Sequence, residues 1–473
     1  MKRFREAAKA ALAVCLLLMA LGACCYMTPQ AQAEKDKADA PRMERMVAPA
    51  LIPGTRSEMN SAGFWIGLHP FPDRVILNRD EIRELNGDIR KGLKTTHDLA
   101  SYPMAALGGD LREALTRDLS SIGAMTLYLS NGDSVDGELL SGIEKNMGIE
   151  GIPQDIKVRF GFVVKSADQR RLPTAERFYP GRISREFDML QAVVLDIGVP
   201  IAVLHTSADG NWHYVVAPYC EGWIADDRMA FCSSEAMRDY LNRTPFIVVT
   251  TVRGDVYLDP ALTDYCDRLK MGARLPMVKE HETPVIEVTL PRRDKDGACL
   301  FVSGYLRRRD TAKGFLAYTP RNIILQAFEF LNDPYGWGDL NGEQDCSSFI
   351  RRVFATTGIE LPRNSLFQSR SGKPVADFKR ETPLEMRLET LKAKGIGGMT
   401  LLWMKGHIML YLGMVDGTPY AIQAMWSYME TVGQKEVMKV VNRIVVTNLF
   451  LGKDTRHGSY MTRLGAIRNV EKY

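Results

Sequence analysis

The sequence predicts an α+β protein that is built from three or four separate folding units. Its 473 residues exceed the roughly 100–200 residues of one ordinary domain. The composition is that of a globular protein, with 45% apolar and 25% charged residues, which excludes collagen-like and disordered chains. Short strand patterns separated by turn residues occupy the middle of the chain, whereas helical and strand patterns alternate in its last third.

Residues 1–33 have the features of an export signal and a leader. The basic stretch Met1–Lys9 precedes the apolar run Ala10–Gly22, which at about 13 residues is too short to cross a bilayer as a helix. The segment that ends at Cys24 resembles a bacterial lipobox, so Cys24 is a candidate for lipidation. Ordinary cleavage after Ala33 is the competing interpretation. We therefore expect export to the cell envelope, as a periplasmic protein, with a lipid tether to the membrane if Cys24 is the processing site.

The charge balance and the cysteine spacing exclude two kinds of partner. Basic and acidic residues number 61 and 57, a net charge of +4, of which residues 2–9 contribute +3 through four basic side chains and one acidic one. The remainder, near +1, is too balanced for a nucleic-acid surface. The cysteines form no C-x-x-C motif and no Cys/His cluster with zinc spacing, so we expect no metal and no cofactor.

The segment 43–165 is predicted to be a mainly helical N-terminal stabilising domain. Asn78 suits a helix N-cap, and Ile82, Leu85 and Ile89 then recur on one helical face. Strand-like runs cover residues 125–129 and 158–165. Because no group of catalytic residue types occurs here, we expect the segment to serve as a scaffold.

Two small all-β barrels are predicted next, over residues 166–240 and 244–318. Predicted strands at 199–204, 212–216 and 223–225 are separated by Asp-Gly and Glu-Gly turns. Together with the Gly-Trp pair at Gly222-Trp223, this pattern resembles the bacterial SH3-like domains of cell-wall hydrolases. A fainter echo over residues 244–319, in which the run from Met271 to Met277 parallels the one from Gly198 to Ile201, predicts the second SH3-like barrel. We expect the barrels to border the active-site cleft and to limit substrates to short peptides.

A buried helix that begins near Cys346 supplies the first chemical signal. Phe349, Ile350, Val353 and Phe354 recur at helical spacing after a glycine-rich loop, so Cys346 falls in the first turn. Unpaired N–H groups and the helix dipole favour a thiolate at this position, which predicts a lowered thiol pKa and a nucleophile. A small buried core cysteine is the alternative.

A predicted β-hairpin supplies the second signal. One strand opens with His407, and the returning strand carries Gln423. A thiol at a helix N-terminus that faces an imidazole on a sheet is the arrangement of papain-like peptidases. The domain of residues 319–473 is therefore predicted to be a papain-like α+β domain, and its first helix begins after Thr319 with Pro320 in the first turn.

Four motifs in this domain resemble, in order, those of the NlpC family of cell-wall cysteine peptidases. They are Pro334-Tyr335-Gly336-Trp337-Gly338, Asp345-Cys346-Ser347-Ser348, Leu361-Pro362-Arg363-Asn364-Ser365 and the strand from His407 to Gly413. The resemblance implies hydrolysis of the bond between γ-D-glutamate and the diamino acid, lysine or diaminopimelate, of peptidoglycan stem peptides. It implies a Cys346 nucleophile, a His407 general base and Gln423 as the third polar residue. Tyr335 and the Cys346 N–H are candidates for the oxyanion hole, and Ser347, Arg363, Asn364 and Ser365 for substrate binding.

Three departures from the family pattern accompany this resemblance. Ser348 replaces a glycine beside the nucleophile, and Asn364 replaces an aspartate that in some relatives grips a free stem-peptide amine. The third departure is geometric. With a two-residue turn at Asp416-Gly417, residue 407 would oppose residue 426 and Gln423 would face away from His407. A bulge near Gly413 or a longer loop would restore a triad; otherwise the site is a Cys–His dyad.

Two other functions fit the same sequence. The chain could be a non-catalytic wall-binding lipoprotein whose peptidase fold is vestigial. It could also be an amidase or acyltransferase on the same fold. The expected partners are peptidoglycan stem peptides, and the sequence leaves the oligomeric state open.

Overall fold

The computed structural model describes residues 45–472. The predicted leader of residues 1–33 and the lipidation candidate Cys24 lie outside this range. Within it, none of the helices combines the length and apolar character needed to cross a membrane. Nor does the described range contain a group of His, Cys, Asp and Glu side chains suited to holding a metal ion.

The N-terminal segment splits its packing between two parts of the molecule. Its elements are β1 (Arg45–Val47), α1 (Ala62–Leu68), α2 (Arg79–Leu93), β2 (Ala105–Leu107), α3 (Gly108–Gly123), α4 (Gly137–Met147) and β3 (Asp155–Lys157). Helix α2 begins after Asn78 in a capping box with Glu81, and it shares a core with the C-terminal domain, as α1 does. Helices α3 and α4 instead share a core with Trp223 of the first barrel. The segment therefore joins the barrel to the C-terminal domain.

The strand predicted at residues 125–129 is absent, and that prediction was wrong. Residue Tyr128 forms only isolated bridges, to Ser134 and to Tyr179. Met125 donates its backbone N–H back to the carbonyl of Ile122 at the end of α3. The apolar residues of this run fill the core between α3 and the barrel, so their periodicity reflects burial in a connecting segment.

The first barrel is a seven-stranded antiparallel sheet in the order β10-β4-β7-β8-β9-β5-β6. Its strands are β4 (Arg159–Val163), β5 (Ala167–Arg170), β6 (Gln191–Leu195), β7 (Pro200–Thr206), β8 (Trp212–Ala217), β9 (Cys220–Ala225) and β10 (Met229–Cys232), and α5 (Ser234–Asn242) follows. Strand β4 pairs with β7 and β10, so the barrel begins before the predicted boundary at residue 166. Trp223 is fully buried and fills the barrel core.

A second seven-stranded sheet follows in the order β13-β12-β16-β15-β14-β11-β17. Its strands are β11 (Phe246–Val249), β12 (Arg253–Tyr257), β13 (Tyr265–Lys270), β14 (Arg274–Glu280), β15 (Val285–Arg293), β16 (Cys299–Arg307) and β17 (Thr311–Lys313). A bridge between Phe231 and Ala298 joins the two sheets. A small aromatic cluster of Phe162, Tyr240 and Phe301 packs at the same junction.

The C-terminal domain packs helices against a third seven-stranded sheet, of order β1-β22-β21-β20-β19-β23-β18. Its helices are α6 (Pro320–Glu329), α7 (Cys346–Ala355), α8 (Ser365–Gln368), α9 (Leu384–Lys394) and α10 (Tyr460–Arg463). Its strands are β18 (Lys373–Asp377), β19 (Thr400–Met404), β20 (His407–Val415), β21 (Thr418–Val432), β22 (Lys435–Asn448) and β23 (Ala466–Asn469). Helix α7 shares a core with β20 through residues such as Phe349 and Ile408, which brings the start of the helix to the start of the strand.

Candidate active site

Cys346 is the first residue of α7, as the sequence predicts, and its side chain is largely buried. The Asp345 carboxylate caps the helix by accepting from the Ser348 N–H at 3.0 Å. The same carboxylate forms a buried ion pair with Arg363 and accepts from the N–H of Gly338 at 3.1 Å. Asp345 thus fixes the glycine-rich loop and the helix end on which the thiol stands.

The environment of the thiol contradicts the expected pKa. Burial, and next the negative charge of Asp345, raise the pKa of Cys346 to about 12. The backbone N–H groups of Ile408 and Ser347 and the guanidinium of Arg363 favour the thiolate, but their combined effect is smaller. The prediction of a lowered thiol pKa was therefore wrong, because the sequence suggests a helix N-terminus but carries no measure of how deeply the sulfur is buried. The resting side chain is a neutral thiol.

His407 and Gln423 meet on one face of the sheet because of a β-bulge. Residues 415 and 418 pair across the Asp416-Gly417 turn, but the register shifts between Tyr411 and Gly413, so that Leu410 lies opposite Ile422. Continuing this register sets residue 425 opposite His407, and Gln423 then has the parity needed to face the imidazole. The His407 Nε2 and Gln423 Oε1 atoms are 2.5 Å apart. The arrangement that the sequence left open is thus the one with the bulge.

A buried threonine orients the Gln423 amide. The Nε2 atom of Gln423 donates to the Thr447 hydroxyl at 2.5 Å, so its carbonyl oxygen faces the imidazole and accepts from the His407 Nε2–H. This network assigns the proton to Nε2 and leaves Nδ1 able to accept one. Both Gln423 and Thr447 are fully buried. The sequence reasoning missed Thr447, since a threonine on a buried strand has no distinctive local pattern.

The imidazole is neutral at rest. Burial lowers the pKa of His407 to about 4, and the positive charge of Arg463 acts in the same direction, against the hydrogen bond to Gln423. Burial therefore favours a neutral thiol at Cys346 and a neutral imidazole at His407, whose Nδ1 is then a free base. The thiol accepts from the backbone N–H of Ile408, the residue that follows His407. Such a pair transfers the thiol proton to the imidazole as the sulfur attacks.

Two cavities meet at this pair, and we name them by the reactive group that lines each. The thiol pocket, of about 200 Å³, is lined by Cys346 and by every predicted substrate-binding residue: Ser347, Arg363, Asn364 and Ser365. The imidazole pocket, of about 440 Å³, is lined by His407. Tyr335, Trp337 and Gly406 line both. The predicted oxyanion residue Tyr335 thus lies where the two pockets join.

The predicted binding residues Arg363 and Asn364, and the neighbouring Ser348, form hydrogen bonds within the protein. Arg363 donates through Nη1 to the Ser347 hydroxyl at 2.7 Å as well as to Asp345. Asn364 caps α8 by accepting from the Leu366 N–H at 2.8 Å. Ser348 turns its hydroxyl to Gln344 at 3.0 Å, where it is fully buried. The serine at the usual glycine position is therefore accommodated by a specific hydrogen bond.

Residues from distant parts of the chain also line the thiol pocket. Asp118 of α3 and Arg171, Gln191 and Glu221 of the first barrel line it. Arg171 donates to Asp118 at 2.8 Å. No local pattern could have revealed these residues, because more than a hundred positions separate them from Cys346. The expectation that a barrel borders the cleft holds for the first barrel.

Buried charges fasten the first barrel to the catalytic helix. Arg352 of α7 pairs with Asp196 of the barrel at 2.8 Å and with Asp339 of the glycine-rich loop at 3.1 Å. Lys270 of the second barrel reaches the same Asp196 at 3.3 Å. The indole N–H of Trp337 donates to the Asp188 carbonyl at 2.9 Å. The walls of the cleft are therefore held by hydrogen bonds between domains.

A cysteine at the start of a buried helix, packed against a sheet that carries a histidine and an amide acceptor, defines a papain-like domain of the cysteine hydrolase type. Comparison with known proteins shows which family models match parts of this chain. Residues 332–425 match the model of the NlpC/P60 family, and residues 178–225 match that of the SH3 domain of the SH3b1 type. A segment of the C-terminal domain is therefore similar to the NlpC/P60 family, and a segment of the first barrel is similar to SH3 domains of this type.

Two curated relatives are similar over part of their length. Over 160 residues the chain is 27% identical to a gamma-D-glutamyl-L-lysine dipeptidyl-peptidase of Bacillus cereus, a match that covers 33% of this chain and 44% of the relative. Over 64 residues it is 38% identical to a Bacillus subtilis protein of the same name, covering 13% of this chain and 22% of the relative. The chain thus matches less than half the length of either relative.

The fold has a solved counterpart. An NlpC/P60 endopeptidase from Photobacterium damselae subsp. piscicida superimposes with a TM-score of 0.70 at 21% sequence identity. The match covers 90% of this chain and 96% of that structure. At this identity the likeness concerns the fold, and it includes the regions outside the NlpC/P60 domain.

Proposed function

We propose that the protein is an exported cysteine peptidase that hydrolyses the amide bond between γ-D-glutamate and the diamino acid of peptidoglycan stem peptides. The observation that carries the proposal is the set of contacts around Cys346 and His407, with Gln423 hydrogen-bonded to the imidazole. The names of the two curated relatives support the bond chosen.

The reaction follows from the neutral resting pair. Nδ1 of His407 takes the thiol proton as the Cys346 sulfur attacks the scissile carbonyl, and the oxyanion that forms is stabilised by the Cys346 N–H and the Tyr335 hydroxyl. The imidazolium then gives its proton to the leaving amine, and a thioester remains on Cys346. Water, deprotonated by His407, hydrolyses that thioester and restores the thiol. Gln423 keeps the imidazole in the reactive tautomer throughout.

The pocket boundaries support a short peptide on the acyl side. Asp118, Arg171 and Glu221, which the first barrel and α3 contribute, line the thiol pocket together with Cys346. We infer that these side chains limit the pocket to a short peptide, so released stem peptides are the proposed substrates. The leader of residues 1–33 supports a place in the cell envelope, with lipidation at Cys24 tested by whether Cys24→Ala releases the protein from the membrane fraction.

The test of the activity is product analysis with purified stem tripeptides that have a free N-terminus, alongside muropeptides in which the sugar is still attached. Wild-type protein is expected to release the dipeptide L-Ala-D-Glu, whereas Cys346→Ala and His407→Ala release none. Cys266→Ala is the matched control, because this half-buried cysteine lies in the second barrel, and it is expected to retain activity. Mass spectrometry showing a cut between sugar and peptide would favour an amidase, and unchanged products from Cys346→Ala would refute the cysteine mechanism.

A further inference from the structure

The imidazole pocket has an unusual set of charges for a site that would receive an amine-bearing amino acid. Its walls are largely apolar and aromatic, with Trp337, Trp426 and Tyr460 among them. Its basic side chains other than His407 are Arg463 and His457, and among the described residues that line it there is neither an aspartate nor a glutamate. The electrostatic field in this pocket therefore favours a negatively charged group.

The chemistry of the reaction identifies which part of the substrate enters this pocket. In the proposed function the imidazole of His407 protonates the leaving amine, and the acyl group stays on the sulfur of Cys346. His407 lines the imidazole pocket and Cys346 lines the thiol pocket. The leaving diamino acid must then occupy the imidazole pocket.

Arg463 is placed to meet an anion in that pocket. It ends helix α10, its guanidinium lies 4.9 Å from the Tyr460 ring centroid, and its Nε donates to the Ser459 carbonyl at 3.4 Å. Among the described residues, no carboxylate lies within ion-pair distance of Arg463. By contrast, Arg456, which precedes α10 in the chain, pairs with Glu436 at 3.1 Å. The charge of Arg463 also reaches His407, whose pKa it lowers. Arg463 also hydrogen-bonds the Tyr460 side chain. An arginine fork has five N–H donors, so beside these two contacts it is well suited to a carboxylate.

We propose that Arg463 binds a carboxylate at the end of the side chain of the leaving diamino acid, and hence that this residue is diaminopimelate rather than lysine. The inference rests on the proposed function and narrows its substrate. A lysine side chain ends in an ammonium group, which finds no acidic partner among the described lining residues, whereas diaminopimelate adds a carboxylate at the same end. The lysine named for the curated relatives would not be the preferred residue here.

Competition between matched peptides tests the proposal. The substrates are L-Ala-γ-D-Glu followed by L-lysine, by meso-diaminopimelate, or by meso-diaminopimelate with its side-chain carboxyl amidated. We expect kcat/KM to be about tenfold higher for the free carboxylate than for the other two, as a charge-assisted hydrogen bond would give. The amidated peptide keeps the α-carboxylate and the size, so it separates recognition of the side-chain carboxylate from recognition of the chain terminus.

Variants test whether Arg463 is the residue that causes the preference for diaminopimelate over lysine. In Arg463→Met the ratio of kcat/KM between the diaminopimelate and lysine peptides is expected to fall about tenfold, and Arg463→Lys to restore part of it. The ratio compares two substrates on one variant, so a general loss of activity cancels. Arg456→Met is the matched control and should keep the wild-type ratio. Equal rates on all three peptides, a preference for lysine, or an unchanged ratio in Arg463→Met would overturn the proposal, while cleavage of none would instead refute the proposed function.

Discussion

Replacing Thr447 with valine should disable the site without changing any group that touches substrate. Valine has nearly the shape of threonine but cannot accept the hydrogen bond from the Gln423 amide, which is 2.5 Å long and fully buried. A buried donor left without a partner costs about 1–3 kcal/mol. The amide can avoid this by turning over, and its N–H₂ then faces the imidazole.

The turned amide selects the wrong form of His407. An N–H₂ donor at Gln423 requires Nε2 of His407 to be an acceptor. The imidazole proton then moves to Nδ1, which can no longer take the thiol proton in the proposed reaction. If about 1.4 kcal/mol separates the two arrangements, kcat falls about tenfold. Substrate contacts are unaltered, so KM should stay within about twofold of the wild-type value.

The assay is steady-state hydrolysis of a stem tripeptide, with urea unfolding measured alongside. Thr447→Ser keeps the hydroxyl and should recover most of kcat. Thr400→Val is the matched control, because Thr400 is an equally buried β-strand threonine that donates to Asn469 at 2.6 Å away from the reactive pair. It should lose stability while kcat is unchanged. A wild-type kcat in Thr447→Val, or equal losses of kcat in both valine variants, would refute the role given to Thr447.

Two further predictions concern the resting charges and the domain junction. Because the pKa of Cys346 is raised to about 12 and that of His407 is lowered to about 4, alkylation of Cys346 by iodoacetamide, followed by mass spectrometry of its peptide, should rise with pH through neutrality and beyond pH 9. A plateau that begins near pH 5 would instead reveal a preformed thiolate–imidazolium pair. Arg352→Met leaves Asp339 buried without its ion-pair partner and Asp196 with Lys270 alone, so the free energy of unfolding in urea should drop by about 3–5 kcal/mol. The exposed control Arg238→Met, whose partner Glu235 is also exposed, should change it by less than about 1 kcal/mol.

The parts of the site that the sequence predicted are those with a local signature. Cys346 follows an N-cap aspartate, and His407 opens a strand before a recognisable turn. The sequence also indicated that a bulge or a longer loop is needed to bring Gln423 onto the face that carries His407, because turn length fixes which residues of a hairpin share a face. The place of the bulge between Tyr411 and Gly413 came only from the structure.

The parts that could not be predicted depend on distant packing. Arg171 and Glu221 lie in the first barrel, and nothing in their own neighbourhood marks them as cleft residues. The raised pKa of Cys346 results chiefly from burial, and the thiol belongs to a core that residues as distant as Trp65 and Ile82 complete. A helix N-terminus alone therefore led to the wrong sign. The division of the N-terminal segment between two cores has the same origin, since α1 and α2 pack into one core and α3 and α4 into the other.

The neutral side chain of Gln423 and the buried thiol of Cys346 both favour an uncharged resting state of the Cys346–His407 pair. A carboxylate in place of Gln423 would stabilise imidazolium and favour a permanent ion pair with the thiolate. The amide orients His407 without adding charge, and burial then keeps the pKa of the imidazole near 4. The nucleophile is therefore generated by proton transfer during attack, when the developing oxyanion and the leaving amine supply the compensating interactions. Gln423→Glu tests this coupling: it should raise the pKa of His407 and bring iodoacetamide alkylation of Cys346 to a plateau at lower pH. An unchanged alkylation profile would mean that burial alone, and not the neutrality of residue 423, keeps the pair uncharged.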